Sequence, residues 1–377
     1  MIRDLPSLLE KTFPIPQRFR SRLPHDIADL SQLLTNQRGQ RSLSYLTRPD
    51  YLSAYLHYFL HWNIYRLCFL LPDFDFHLKE ETVITDIGCG PLTFTCALWI
   101  CRPDLRGIPI EINCIDRSGP VLEAGEKFFN ALSGADNKWK INLIKKEIDF
   151  RKTNLILKNN KKASLVCAVN VFNEVYDKLP HSDIEALRQT AENAAKLLHN
   201  EINENSRQKD HSSIFIVEPG VPRSGKFISL LRDELLKLGH QPVSPCTHNK
   251  TCPFLSRQKE KWCHFAFSTE NAPKELLRLS IAAKLPKERL VLSYLLTSNN
   301  EKINDNRLLR VISDSFPLSN EKQESAVHGR YACSSRGLIL LKGGKHQIQT
   351  TASGSLVEAK IYTERDEKSG ALTGEIK

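Results

Sequence analysis

Apolar and polar positions divide the chain into four stretches. From Met1 to about Phe76 the spacing is helical: "PHDIADLSQLL" has a helix-compatible start, and "RPDYLSAYLHYFLHWNIYRLCFLL" follows with Asp50 placed as its N-cap. From Glu81 to about Glu218 short apolar runs ("TVITDIG", "IEINCID", "KINLIKKEI", "ASLVCAVNVF", "SSIFIVEP") alternate with helical ones ("FTCALWICR", "GPVLEAGEKFFNAL", "SDIEALRQTAENAAKLL"). Such alternation predicts an α/β domain with a parallel, doubly wound sheet and a ligand at the carboxyl ends of its strands. A polar, cysteine-bearing loop comes next, then the Gly-punctuated strand pattern "RYACSSRGLILLKGGKHQIQTT" and a charged end, "YTERDEKSGALTGEIK". The expected organisation is an N-terminal helical cap (1–78), the α/β domain (79–240), a cysteine-bearing, partly β C-terminal region (241–345) and a tail (346–377).

The length of 377 residues, 41% of them apolar, allows at least one full core and favours two domains. No run of signal-peptide length opens the chain, and Asp4 and Glu10 argue against a transit peptide. The longest apolar stretch, Tyr51 to Leu71, carries His57, His61, Asn63 and Arg66 at its centre, which a bilayer would penalise. It reads as a buried amphipathic helix, so no membrane partner is expected. The location expected is cytoplasmic, with ten cysteines as reduced thiols rather than a disulfide framework. The formal charge of +10 suits a polyanionic partner without identifying one.

The first chemical motif is "ITDIGCGPLTFTCAL". A strand ending on Asp86, a turn holding Gly88 and Gly90, and a helix starting near Leu92 let the backbone approach a nucleotide-like cofactor where a Cβ would intrude. The next strand ends on Asp116, whose carboxylate can accept both hydroxyls of a ribose. A dinucleotide fingerprint would place a third glycine where Thr93 stands, and an apolar residue in place of Asp86. The motif therefore resembles the first motif of class I (Rossmann-like) methyltransferases, over roughly Thr82 to Val217. That resemblance implies an S-adenosylmethionine site, with Asp86, Gly88 and Gly90 at the methionine end and Asp116 on the ribose; Leu92 stands where the family commonly has a further glycine. Asp149 is either an adenine-facing residue or a solvated loop acid. In "CAVNVFNEVYD", Asn170, Asn173 and Glu174 fall near the site, but neither the Asn/Asp-Pro-Pro-Tyr/Phe motif of amino-group methyltransferases nor an attacking cysteine is present, and Cys167 reads as core. No catalytic residue can be named. "GVPRSGKF" matches the P-loop spacing, but Phe227 occupies the Ser/Thr position, which excludes an ATPase.

Cys246, Cys252 and Cys263 follow a C-x5-C-x10-C spacing in polar, Pro- and Asn-containing surroundings that say irregular loop. Zinc sites advertise paired knuckles, which are missing, although His248 and His264 are available as ligands. Irregularly spaced thiolates suit an iron–sulfur cluster if a fourth cysteine joins them, and Cys333 is the only one further along the chain. Cys68, Cys96, Cys101 and Cys114 sit in apolar stretches, and Cys89 in the cofactor turn.

With "VEPGVPRSGKFIS", "PCTHNKTCPF", "WCHF" and a distant cysteine in a terminal strand, the chain resembles the ribosomal small-subunit-associated methyltransferase-like family over about residues 40 to 342. The resemblance implies a [4Fe–4S] cluster on Cys246, Cys252, Cys263 and Cys333, S-adenosylmethionine binding, and association with the small ribosomal subunit and its rRNA. It makes the expected function a small-subunit assembly factor or rRNA methyltransferase. Two alternatives stand beside it: a non-catalytic RNA-binding scaffold and a small-molecule methyltransferase.

Overall fold

A computed structural model describes residues 1–35, 45–155, 161–180, 182–202, 211–255, 261–299, 307–318 and 327–377. The chain divides into two compact units. The first comprises Met1–Asp183, Glu201–Ser212 and Ser268–Leu290; the second comprises Ile184–Asn200, Ser213–Phe267 and Val291–Lys377.

In the first unit β1 (Thr82–Ile87), β2 (Ile110–Asp116), β3 (Lys140–Lys145) and β4 (Leu165–Val169) form parallel ladders in the order β3-β2-β1-β4. All six residues of β1 are buried, Thr82, Thr85 and Asp86 included, which explains why its sequence does not alternate polar and apolar positions. The winding reverses at β1: β2 and β3 lie to one side and β4 to the other, so a crevice opens at the carboxyl ends of β1 and β4. Helices Thr93–Cys101 and Gly119–Ser133 follow β1 and β2. This is the Rossmann-like, doubly wound α/β arrangement expected from the sequence.

The long apolar stretch near the N-terminus is helical from Pro49 to Leu67, with a π-type turn at Tyr55–Leu60. It is buried, as its pattern predicts. Ala54, Tyr58, Trp62 and Tyr65 pack with Ile27, Leu30, Leu276 and Leu290. No helix among the described residues is long and apolar enough to cross a membrane. Asp50 is not the N-cap: the helix starts one residue earlier at Pro49, whose missing N–H suits a first turn, and Asp50 accepts instead from the Tyr51 amide at 3.0 Å and from Arg48.

In the second unit, β5 (Ser213–Pro219) pairs antiparallel with β8 (Arg289–Ser298), which also carries β6 (Gln241–Ser244) and β7 (Phe265–Ser268). "GVPRSGKF" opens the helix Pro222–Lys237 with Pro222 at its first position. The C-terminal part is a closed five-stranded barrel of β9 (Leu308–Pro317), β10 (Val327–Ser334), β11 (Gly337–Gly344), β12 (Leu356–Arg365) and β13 (Leu372–Ile376), in the order β10-β11-β13-β12-β9. Leu309, Val311, Ala332, Ile339, Leu341 and Leu372 fill its interior beneath the helix Lys345–Thr350, which contributes Ile348. Residues 346–377 are therefore no tail. β13 inserts between β11 and β12 and closes the barrel, and Ala371 and Leu372 are buried there.

Candidate functional site

The first candidate site lies wholly in the first unit. A cavity of about 190 Å³ sits where β1, β2 and β4 end, lined among others by Gly88, Gly90, Asp116, Ser118, Phe150 and Asn170. The turn after β1 is left-handed at three residues: Gly88 (φ 63°), Gly90 (φ 55°) and Leu92 (φ 56°). Glycine supplies this freely, whereas at Leu92 the Cβ makes it cost roughly 1–2 kcal/mol. Leu92 is fully buried, and Gly125 on the following helix accommodates it: a Cβ at 125 would lie 2.7 Å from the Leu92 side chain and 2.5 Å from the Pro91 backbone. At Gly88 a Cβ would approach Val171 to 2.6 Å, while at Gly90 it would meet nothing within 4 Å.

Asp116 braces this turn, accepting the Gly90 amide at 3.1 Å and the Ser118 amide at 2.9 Å. Burial raises its pKa, and the two amides and Arg117 pull the other way. Asp86 is fully buried and lies behind the cavity rather than in its lining. The Cys167 thiol donates to its Oδ1 at 3.5 Å, and no partner among the described residues satisfies Oδ2. Burial pushes its pKa up to about 8, with Asp116 adding in the same direction, so Asp86 is largely protonated at neutral pH. Asn170 adopts a left-handed φ of 57° and donates to Asn63 Oδ1 at 3.4 Å; its own Oδ1 and the Ser118 hydroxyl are buried without partners among the described residues. Asp149 is not in the lining. It pairs with Arg151 at 2.8 Å, which holds its carboxyl down at about 2, and its neighbours Ile148 and Phe150 face the cavity instead. Arg117 and Glu174, both lining residues, are joined at 3.1 Å.

The second candidate site is in the second unit. Cys246, Cys252, Cys263 and Cys333 come within electrostatic reach of one another around Arg232, a residue absent from the sequence-based candidates. Arg232 is only 2% exposed; it donates to Cys246 Sγ at 3.2 Å and to the carbonyls of His248 and Lys250 at 2.8 Å each. Burial opposes its charge, but Cys246, Cys252 and Asp233 more than offset that. Burial, reinforced by the neighbouring sulfurs, pushes the thiols of Cys252, Cys263 and Cys333 up, and Arg232 acts against it. Cys252 contacts the Ser229 hydroxyl at 3.4 Å, and Cys333 contacts His248 Nε2 at 3.5 Å. His264 instead bonds the Trp262 carbonyl. Among the described residues, no group of three or more His, Cys, Asp or Glu side chains is arranged to hold a metal ion. Lys226 of the P-loop-like "GVPRSGKF" donates to the Leu255 carbonyl at 3.0 Å.

The family model for mitochondrial small ribosomal subunit Rsm22 matches residues 80–323, more than half of the chain. The chain belongs to the Rsm22 family. The matched stretch contains the glycine turn, Asp116 and three of the four cysteines of the second site; Cys333 lies beyond it. A comparison with curated proteins finds no match. Solved structures similar to this Rsm22-family chain include the ribosomal protein L11 methylase of Lactobacillus delbrueckii subsp. bulgaricus (15% identity, 49% of this chain and 68% of that one, TM-score 0.27). The plantazolicin methyltransferase BpumL in complex with SAH is another (14%, 79% and 96%, TM-score 0.28). NSun6 from Pyrococcus horikoshii with SFG is a third (12%, 64% and 52%, TM-score 0.37). The resemblance read from the sequence thus ends in family membership.

Proposed function

We propose that this Rsm22-family protein binds S-adenosylmethionine in the cavity of the first unit, carries a [4Fe–4S] cluster in the second, and acts on or with the small ribosomal subunit and its rRNA. The observation that carries the cofactor reading is the crevice at the strand-order reversal, where a glycine turn braced by Asp116 meets two buried, unpartnered acceptors, Asn170 Oδ1 and Ser118 Oγ. Buried polar atoms without partners in a cavity mark where a ligand's donors fit. Asp116 retains acceptor capacity for ribose hydroxyls, and Gly90, where a Cβ would meet nothing within 4 Å, leaves the backbone bare toward the amino-acid end. When bound, the cofactor supplies an electrophilic methyl group. The chain's own residues bind and orient it, and the paired Arg117 and Glu174 leave that carboxylate charge-neutralised. This last point favours a second reading, a scaffold that binds the cofactor without transferring its methyl group.

The cluster reading rests on the donor set, four cysteines with a buried guanidinium that favours thiolates. A single zinc ion needs its donors about 2.0–2.3 Å from one centre. Four irregularly spaced cysteines without paired knuckles suit a four-iron cluster better than that tight geometry. Ribosomal association rests on family membership and the charge of +10. The compartment belongs to the proposal as well: the sequence points to cytoplasm, the family description to mitochondria, and free thiols suit reducing surroundings in either.

Calorimetry with S-adenosylmethionine tests the first claim. Asp116→Ala removes at least one charge-assisted hydrogen bond worth roughly 1.5–3 kcal/mol and should weaken binding by about 10- to 150-fold or more. Equal affinity for wild type and variant refutes the assignment. Transfer of labelled methyl groups to immature small subunits by wild type but not by Asp116→Ala separates enzyme from scaffold.

A further inference from the structure

The barrel of the second unit has a topology with functional consequences. Taken in chain order, its strands run 1-2-3-5-4 and close back on the first, with β11 and β13 the only parallel pair assigned and a helix between β11 and β12. That is the connectivity of an OB-fold, a five-stranded Greek-key barrel whose ligands bind across its second and third strands. The interior is set by Val311, Ala332 and Ile339, so Ile312, Tyr331, Cys333 and Leu338 lie on the outer face of β9–β11. There β9 is irregular. Its register with β10 shifts between Gly329 and Tyr331, and Ser313 takes a φ of 64°. Bulges of this kind re-aim side chains beside binding sites.

A cleft of about 270 Å³ opens at that bulge, many times what a single water needs. One wall is Phe316 and Tyr331, with ring centroids 5.2 Å apart. Another is Trp262 stacked on His264 at 4.8 Å. Lys261 sits 3.9 Å over the Tyr331 ring. The walls are held in place. Trp262 Nε1 donates to the Gly220 carbonyl at 3.0 Å, its ring rests where Gly225 lacks a Cβ, and the Ser313 amide donates to the His264 carbonyl at 3.1 Å. Phe316, Tyr331, Trp262 and His264 are all half-buried, so their ring faces are partly available.

We propose that this cleft binds an unstacked base of single-stranded RNA. Aromatic platforms with a neighbouring cation take any base through its π-face, and a barrel face of this connectivity is where such strands run. The charge of +10 supplies attraction for the backbone. The inference rests on the proposed ribosomal association and assigns to it a contact point apart from the cofactor cavity.

Fluorescence anisotropy of the full-length protein with a labelled short oligouridine, beside an RNA duplex of equal length and an oligosaccharide competitor, tests it. The wild type should prefer the single strand. Phe316→Ala should weaken binding roughly 5- to 150-fold, as expected for losing one base stack. Phe316→Leu, which keeps apolar volume without the π-face, should lose most of the same affinity, while Tyr331→Phe should stay near wild type. The Phe316 effect should persist at high salt, where phosphate contacts fade. Equal binding by Phe316→Leu and wild type, equal preference for duplex, or displacement by the oligosaccharide overturns the proposal. Co-sedimentation with small subunits is the separate check: a wild type that co-sediments while Phe316→Leu binds oligouridine undiminished refutes the cleft alone. A wild type that binds oligouridine through Phe316 but never co-sediments refutes the ribosomal reading and leaves the cleft standing.

Discussion

Asp86 offers a quantitative test of the buried core behind the cofactor cavity. Its carboxyl has an ordinary pKa of 3.8, and burial raises it to about 8 in the folded chain. A carboxyl raised on folding contributes its stability fully below the unfolded pKa, and that contribution is lost as pH rises through the folded value. Between about pH 4 and pH 8 wild type should therefore lose up to about 1.4 kcal/mol per pH unit from this residue, on the order of 5 kcal/mol across the window as an upper bound. Asp86→Asn keeps the shape and can still accept from Cys167, but it does not titrate. Its amide places two N–H donors where the protonated carboxyl has one, leaving one further buried donor unpaired, a fixed penalty of roughly 1–3 kcal/mol. The variant should thus be less stable than wild type near pH 4.5 and more stable near pH 8. Urea denaturation at several pH values, with hydrogen exchange of the β1 peptide to report on the first unit, reads the crossing. Parallel stability curves for the two proteins would show that Asp86 ionises normally, and the account of a protonated carboxyl would be wrong.

Further outcomes follow from the same geometry. Cys333→Ser should abolish most of the colour, iron and sulfide of protein purified without oxygen; stoichiometric zinc without sulfide in wild type would replace the cluster by another metal. Gly88→Ala should destabilise the first unit more than Gly90→Ala, because both incur the left-handed penalty of roughly 1–2 kcal/mol but only the Gly88 Cβ collides with Val171; equal melting temperatures would contradict that packing.

The α/β core was legible because its strands are buried along their length. β1 and β5 carry adjacent apolar residues (Val83 and Ile84; Ile214 to Val217) without the polar alternation of a half-exposed strand, and the turn between Asp86 and Thr93 carries its glycines where positive φ is needed. Asp149 stayed open between two readings because an acid after a strand can turn either way; Arg151, two residues on, pairs with it, and Phe150 lines the cavity. The barrel was hidden by its own geometry. β12, "LVEAKIYTER", has no residue buried outright, so it resembles a charged tail. Its partners β9 and β13 lie far from it in pattern space: one is interrupted by a bulge and the other is only five residues long. Arg232 was indistinguishable from the other cations of an amphipathic helix, since only the fold reveals that its face is the buried one.

The position of β13 also sets a schedule. The strand that closes the barrel emerges from the ribosome about 130 residues after Cys246, which at typical synthesis rates is a delay of roughly 6–26 s. For most of that interval three thiols of the second site exist without the completed wall that carries Cys333, because β10 is only one stave of a barrel still open beside β11. A nascent chain therefore presents an oxidisable, cysteine-bearing loop before it presents a finished barrel. Chaperoned delivery or reducing surroundings matter most in those seconds, and a variant that delays closure of β13 should be damaged during synthesis even where the finished protein would tolerate it.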